Sequence, residues 1–162
     1  MIDNPNETQV FMAIKDYLFQ NDWRLLGGQP PSGTDYLPVI EIRDPLFSGK
    51  GSKGSFKPDL IAWKDHLLMI LELKPSFSRS DREKINLVLQ SPDRIVSLWE
   101  SLIERNIDLG PDGMISDARR GSKVVGGLGY GGEPVSHPEL WRFHLNNGKV
   151  TVTPGSFATE SI

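Results

Sequence analysis

Three residues that could do chemistry together, Asp59, Glu72 and Lys74, flank two apolar runs within the segment 57–74, KPDLIAWKDHLLMILELK. Carboxylates that face each other repel, and partial burial raises the free-energy cost of keeping both of them ionised. An ammonium group or a divalent cation could offset that cost. Ligand sets made only of oxygen suit magnesium or manganese better than zinc. The spacing therefore indicates a site for a hard cation, and the alternative is a charge cluster that water screens at a strand end.

The two apolar runs predict two strands that pair as a hairpin. A two-residue turn at 65–66 sets a register in which Asp59 lies directly opposite Glu72, with Cβ atoms about 4.5–5.5 Å apart. Because side chains alternate along a strand, Lys74 points to the same face as Glu72. The hairpin therefore predicts that all three charged groups meet at one end of the sheet.

These residues resemble the signature of the PD-(D/E)XK nuclease superfamily. Pro58-Asp59 is followed by twelve residues and then by Glu72-Leu73-Lys74. The order of predicted elements is also similar to that family's core, since a helix comes first, then a hairpin that carries the motif, then a helix and further strands. The resemblance implies a restriction-endonuclease-like α/β fold, with a mixed β-sheet flanked by α-helices. It further implies a metal-dependent DNA endonuclease that hydrolyses phosphodiester bonds, of the restriction, repair, resolvase or transposon-end type.

The resemblance also implies a cofactor and roles for individual residues. Asp59 and Glu72 would bind Mg²⁺ or Mn²⁺, with the Leu73 carbonyl as a third protein ligand. Lys74 would position or activate the attacking water and stabilise the developing negative charge. These roles agree with the chemistry, because phosphodiester hydrolysis needs a nucleophilic hydroxide and stabilisation of anionic charge.

Many members of that family also place a glutamate of the first helix at the site, and Glu7 is the candidate here. Glu7 lies one turn before the apolar stripe of its helix, where a carboxylate is usually avoided. The alternative is that Glu7 sits in the first helical turn and favours the helix dipole. Glu41 alternates with apolar neighbours in the segment VIEIR and is a competing ligand.

Periodicity and turn residues predict the elements that position this site. A helix over about 6–20 carries apolar residues at helical spacing. The spacing of Ser80 and Glu83 is that of a capping box, which predicts a second helix that is kinked or restarted at Pro92 and ends near Asn106. Strands are predicted at 23–26, 39–43, 59–64, 67–74, 123–125, 141–145 and 149–153.

The length of 162 residues favours one domain. Its nuclease-like core would cover about 5–106, followed by C-terminal strands and loops over 107–155 and a frayed tail over 156–162. Residues 107–123 are predicted as loop. With so little room for a separate recognition domain, DNA would be read by loops, by a homodimer or with partner subunits. The loops considered are 27–36, 48–57 and 110–139.

Basic residues near the motif are candidates for contacts with nucleic-acid phosphates. Three lysines punctuate the glycine-rich segment SGKGSKGSFK just before the motif, and glycines let backbone amides approach phosphates closely. The alternative for each of these residues is an ordinary solvated surface. The candidates are Lys50, Lys53, Lys57, Arg79, Arg82, Arg119 and Arg120.

Composition excludes several other classes of protein. The chain has no cysteine, so it has no disulfide, thiolate zinc site or iron–sulfur cluster. No apolar run approaches the roughly 20 residues that span a membrane, so we expect no membrane partner and a cytoplasmic location. The net charge of −3 neither requires nor excludes a nucleic-acid partner. The alternative function is a catalytically inactive nuclease-fold subunit that acts as a nucleic-acid-binding or assembly module.

Overall fold

A mixed β-sheet with helices on both faces forms the α/β fold of the chain. The computed structural model describes residues 4–31, 37–44 and 55–161. Its strands are β1 (Arg24–Gly28), β2 (Leu60–Lys64), β3 (Leu67–Leu73), β4 (Lys123–Tyr130), β5 (Trp141–Asn146), β6 (Lys149–Thr153) and β7 (Thr159–Glu160). Its helices are α1 (Glu7–Gln20), α2 (Arg79–Leu89), α3 (Pro92–Glu104) and α4 (Ile115–Ala118), with a 3₁₀ turn at Gly110–Asp112.

The strands lie in the order β1-β2-β3-β4-β5-β6, with β7 paired to β4. The first three strands form an antiparallel meander, whereas β4 runs parallel to β3 and β5 runs parallel to β4. Parallel neighbours need a long crossover, and α2 and α3 supply it between β3 and β4. Because the central strands are covered on both faces, β3 reads as an almost continuous apolar run rather than an alternating one.

The hairpin of β2 and β3 has the predicted register. Lys64 pairs with Leu67 across a two-residue turn, and the ladder continues without a shift. Asp65 and His66 both have positive φ angles, 51° and 63°. A type I′ turn requires this combination, and its twist matches that of the two strands it joins. The register therefore holds although neither turn residue is glycine.

The predicted first helix is confirmed, and it covers one face of the sheet. Asn6 caps it, because its side chain accepts a hydrogen bond from the Gln9 N–H at 2.8 Å while the Gln9 side chain accepts one from the Asn6 N–H at 2.8 Å. This reciprocal pair satisfies two backbone donors that the start of a helix leaves without partners. Helices α2 and α3 pack on the opposite face of the sheet. The buried stripe of α1 is Val10, Phe11, Ile14 and Leu18.

Glycines of β4 let both helical layers come close to the sheet. A Cβ added at Gly129 would overlap the side chains of Ile14 in α1 and Leu73 in β3. A Cβ added at Gly126 would overlap Ile85 in α2 on the other face. The missing side chains therefore set the distance between the helices and the strand end that carries the charged residues.

Gly129→Ala is expected to destabilise the protein by about 1–3 kcal/mol, because the added methyl group overpacks a filled core. The measurement is the free energy of unfolding from denaturant titration. Ile14→Val removes the Cδ1 atom that the new methyl group meets, so it should cost less in the Gly129→Ala background than in the wild type. Thr151→Ala, at an exposed position of β6, is the control and should change stability by less than about 0.5 kcal/mol. Additive effects of the two core substitutions would contradict this account of the packing.

Several predicted boundaries are wrong, each for a local reason. The predicted strand 39–43 makes only one bridge, between Ile42 and Phe56, because no further partner strand lies beside it in the described part of the chain. The second helix begins one residue before the predicted cap. The N–H of Asp81 bonds to Ser78 at 3.2 Å, so Ser78 rather than Ser80 caps this helix. The break at Pro92 is confirmed, with Ser91 as the cap of α3.

The C-terminal third is more regular than predicted. The predicted loop 107–123 contains a 3₁₀ turn and α4, and the strand predicted at 123–125 continues to Tyr130. Glycine-rich sequence conceals this strand, since glycine has a low strand propensity. The predicted hairpin of β5 and β6 is confirmed. Part of the tail expected to fray pairs with β4 instead, at Thr159 and Glu160.

Candidate functional site

Asp59 and Glu72 lie side by side at the carboxyl end of β3. Their side chains share a hydrogen bond. Each also accepts from the other strand's backbone, since the Leu73 N–H donates to Asp59 Oδ2 at 2.8 Å and the Asp59 N–H donates to Glu72 Oε2 at 3.3 Å. The β2–β3 register extends by one pair to produce this contact. The structure therefore brings together the two carboxyl groups that the hairpin predicts.

Glu72 is buried, with 6% of its surface exposed. Burial is the largest cause of a rise in its pKa to about 9, and the hydrogen bond to Asp59 and the negative charges of Asp59 and Asp81 raise it further. The ammonium of Lys84 acts in the opposite direction. Without a bound cation, the raised pKa therefore favours the protonated form of Glu72 at neutral pH.

Lys74 lies beside this pair and contacts the first helix. Its Nζ is 3.7 Å from Glu7 Oε1. Burial alone would lower the pKa of Lys74, but four surrounding carboxylates outweigh it and raise the pKa above its ordinary value. Lys74 is therefore a fixed positive charge at neutral pH. The four carboxylates are those of Asp81, Glu7, Asp59 and Glu72.

Glu7, rather than Glu41, is the further glutamate that contacts the motif. Glu7 is the first residue of α1 and reaches Lys74 as described. Glu41 instead pairs with Arg43 at 3.4 Å and lines a separate cleft with Lys57 beside α3. Leu73, whose carbonyl is the implied third ligand, is the last residue of β3, and its side chain is buried against the α1 face.

Two residues of α2 that the sequence analysis did not single out, Asp81 and Lys84, also belong to this cluster. Lys84 Nζ lies 3.5 Å from Glu72 Oε1 and 3.8 Å from Asp81 Oδ1. Asp81 is 3% exposed, and its Oδ2 has no hydrogen-bond partner among the described residues. A signal was present in the sequence, because Asp81 lies one turn before Ile85 on the apolar stripe of α2. The same argument singles out Glu7 in α1.

The basic residues predicted to contact phosphates are scattered in the structure. Lys50 and Lys53 lie outside the described residues, and Lys57 is exposed. Arg79 is exposed near the site and pairs with Glu83. Arg82, one turn after Arg79 on α2, is bound by the side chain of Glu139.

Glu139 holds Arg82 through two hydrogen bonds, Nε to Oε2 at 2.6 Å and Nη2 to Oε1 at 2.8 Å. Bonding from Arg82 is the largest cause of the fall in the pKa of Glu139 to about 2, and Asn86 contributes to it. The guanidinium of Arg82 therefore fastens α2 to the segment before β5, and its contact with phosphate stays a prediction.

Arg119 and Arg120 lie at the other end of the sheet. They precede β4, whose first N–H, that of Lys123, donates to the carbonyl of His66 in the hairpin turn at 2.9 Å. The motif carboxylates lie at the opposite end of the same hairpin. A single nucleic-acid surface around the motif therefore does not include Arg119 and Arg120.

Within the described ranges, no three His, Cys, Asp or Glu side chains converge closely enough to hold a metal ion by themselves. The arrangement offers two joined carboxyl groups, with the ammonium groups of Lys74 and Lys84 close by. None of the helices in the described part of the chain is long and apolar enough to span a membrane.

Comparison with family models, curated proteins and solved structures finds no match to this chain.

Proposed function

We propose that this protein is a metal-dependent DNA endonuclease of the PD-(D/E)XK type, with a restriction-endonuclease-like fold. The observation that carries the proposal is the buried carboxyl group of Glu72, joined by a hydrogen bond to the half-buried Asp59 and next to the ammonium of Lys74. A protein gains no stability from burying a carboxyl group whose pKa rises to about 9. Such groups are typical of functional sites, where binding or catalysis requires the charge.

The order and pairing of the elements support the same proposal. A helix precedes an antiparallel meander, the motif spans its hairpin, and a helical crossover leads to a parallel strand. This is the order that the resemblance implies for the family's core. The carboxyl end of a strand beside a parallel neighbour is also where open α/β sheets bind their ligands.

The two carboxyl groups of the site fit the way in which proteins usually bind Mg²⁺ or Mn²⁺. Magnesium is usually held by one or two carboxylates, several waters and the phosphates of a substrate, rather than by a complete cage of protein ligands. Asp59 and Glu72 supply two carboxylates, and the Leu73 backbone adjoins them through its N–H. A site with two carboxylates binds the cation weakly alone and more tightly with nucleic acid present, which is consistent with the absence of a three-residue cluster among the described residues.

The chain's own residues would act in three ways. Asp59 and Glu72 would hold the cation, and Glu72 would release its proton when the cation binds. The cation, when bound, would polarise a phosphate oxygen and lower the pKa of water. Lys74, fixed by Glu7, would orient the attacking water and stabilise the charge that develops on the phosphate.

Purified protein with Mg²⁺ is expected to cleave at least one of four DNA substrates: linear duplex, supercoiled, single-stranded or branched. Cleavage should stop in excess EDTA and should be absent in Asp59→Asn, which keeps the side-chain shape but removes one charge. Lys64→Met, at the hairpin-turn end of the sheet, is the matched control and should cleave as the wild type does. Binding of DNA without cleavage, under Mg²⁺ and under Mn²⁺, would contradict the proposal and would indicate the inactive binding module instead.

A further inference from the structure

Lys84 of α2 is a second lysine at the carboxyl pair, and neither the motif nor the resemblance assigns it a role. Its ammonium is 3.5 Å from Glu72 Oε1, on the side of the pair that faces α2. It also lies 5.2 Å from the centre of the Phe56 ring, so a cation–π contact restricts its position. About half of the side chain, 47%, remains exposed. Lys84 is therefore held at the site and is still open to an incoming ligand.

Asp81 orients this lysine. The two residues are three positions apart on α2, where side chains face each other on the helix surface, and their charged atoms are 3.8 Å apart. Asp81 is almost fully buried, yet its Oδ2 has no hydrogen-bond partner among the described residues. A buried carboxylate with an unsatisfied oxygen costs free energy that the first turn of a helix only partly offsets. Its closeness to Lys84, Glu72 and Lys74 supplies a functional reason for a carboxyl group at this buried position.

The charges of the cluster leave a role for this lysine when substrate arrives. Four carboxylates and two ammonium groups meet here, so the net charge is −2 when all are ionised. One divalent cation neutralises that charge. A bound phosphodiester would then add another negative charge, and a cation held by Glu72 would compete with Lys84 for that carboxylate. The ammonium of Lys84 has three donors, so it can keep Asp81 and turn another donor to a phosphate oxygen.

We propose that Lys84 is a further catalytic residue, which contacts an oxygen of the phosphate that is cleaved, and that Asp81 is its positioning residue. The proposal rests on the proposed nuclease function. It places two ammonium groups near the carboxyl pair, that of Lys74, which contacts Glu7 of α1, and that of Lys84 on α2. Lys84 then adds a positive charge next to the phosphate, besides those of Lys74 and the cation.

The test compares Lys84→Met with the wild type in single-turnover cleavage, on the DNA substrate that the wild type cuts. Loss of one charge-stabilising donor should lower the cleavage rate by about 10²–10³-fold. The slope of log binding affinity against log salt concentration should fall by about one, because one phosphate contact is lost. Lys84→Arg should recover part of the cleavage rate and part of the salt slope. Lys64→Met should change neither the rate nor the slope. The thermal shift with Mg²⁺ should be as large in Lys84→Met as in the wild type, or larger, because a competing cation at Glu72 is removed.

Asp81→Asn tests the positioning role separately. It should lower the cleavage rate, and adding it to Lys84→Met should cause little further loss, since both changes remove the same contact. Unchanged cleavage rate and salt slope in Lys84→Met, in protein whose wild type is active, would overturn this inference and leave the nuclease proposal intact. A wild type that cleaves no nucleic acid would refute the nuclease proposal itself, so the two failures are distinct.

Discussion

Glu72→Gln is expected to make the metal-free protein more stable than the wild type, and the difference should grow with pH. The buried carboxyl group has a pKa of about 9 in the folded chain, against an ordinary value of 4.5. The folded state therefore holds a proton that the unfolded state releases. The stability contributed by this proton is fully present below pH 4.5 and is lost progressively as pH rises toward 9. The slope is at most about 1.4 kcal/mol for each pH unit.

Glutamine removes this dependence and keeps the local geometry. Its neutral amide is close to the protonated carboxyl group in shape, and its carbonyl can accept from the Asp59 N–H. The measurement is denaturant unfolding in EDTA from pH 5 to pH 9, with the free energy of unfolding plotted for both proteins. The wild-type curve should fall relative to the Glu72→Gln curve across this range.

Glu83→Gln is the matched control, since Glu83 is an exposed residue of α2 that pairs with Arg79 at the surface. Its curve should run parallel to that of the wild type. Parallel curves for Glu72→Gln and the wild type would show that Glu72 is ionised in the free protein. Glu72→Gln should also lose Mg²⁺-dependent cleavage. A substitution that stabilises the fold would then remove the activity.

The hairpin at the centre of the site could be predicted because its signals are local. Two apolar runs flank a polar dipeptide, and a register set by a two-residue turn is rigid over a few pairs, so Asp59 and Glu72 had to meet. Helix α1 could be predicted equally well, because its apolar residues recur with helical period and Asn6 is a strong cap. Extending that stripe backwards singled out Glu7 as a candidate, and the structure shows that it contacts Lys74.

The contribution of α2 could not be predicted from local sequence with the same certainty. Lys84 reaches Glu72 only because the α2–α3 crossover lays α2 over β3, and that depends on parallel pairing of β3 with β4. The strand β4 is hard to recognise, since Gly126, Gly127 and Gly129 suggest a loop. Its glycines are required by the packing of Ile14 and Ile85 on its two faces, which is a tertiary cause. The separation of the basic residues, with Arg79 near the site and Arg119 and Arg120 at the other end of the sheet, also follows from the tertiary structure.

Asp59→Asn and Lys74→Met are both expected to lose most or all of the cleavage activity but to differ in metal binding. Asp59→Asn keeps an acceptor for the Leu73 N–H, so the fold should be preserved, but it removes one of two anionic ligands. Lys74 is a cation and does not ligate the metal while protonated. Its loss removes a positive charge from four neighbouring carboxylates, so metal affinity should stay the same or increase.

Melting curves at increasing Mg²⁺ concentration separate the two variants, because a ligand that binds the folded state raises its melting temperature. The wild type and Lys74→Met should gain stability, and Asp59→Asn should gain little. Removal of Lys74 should lower the cleavage rate by about 10²–10⁴-fold, the usual range for a positioned charge or proton-transfer group. Lys64→Met should match the wild type in both assays. If millimolar Mg²⁺ stabilises neither the wild type nor Lys74→Met, with DNA present as well as without it, then the carboxyl pair is not a metal site, and the burial of Glu72 requires another explanation.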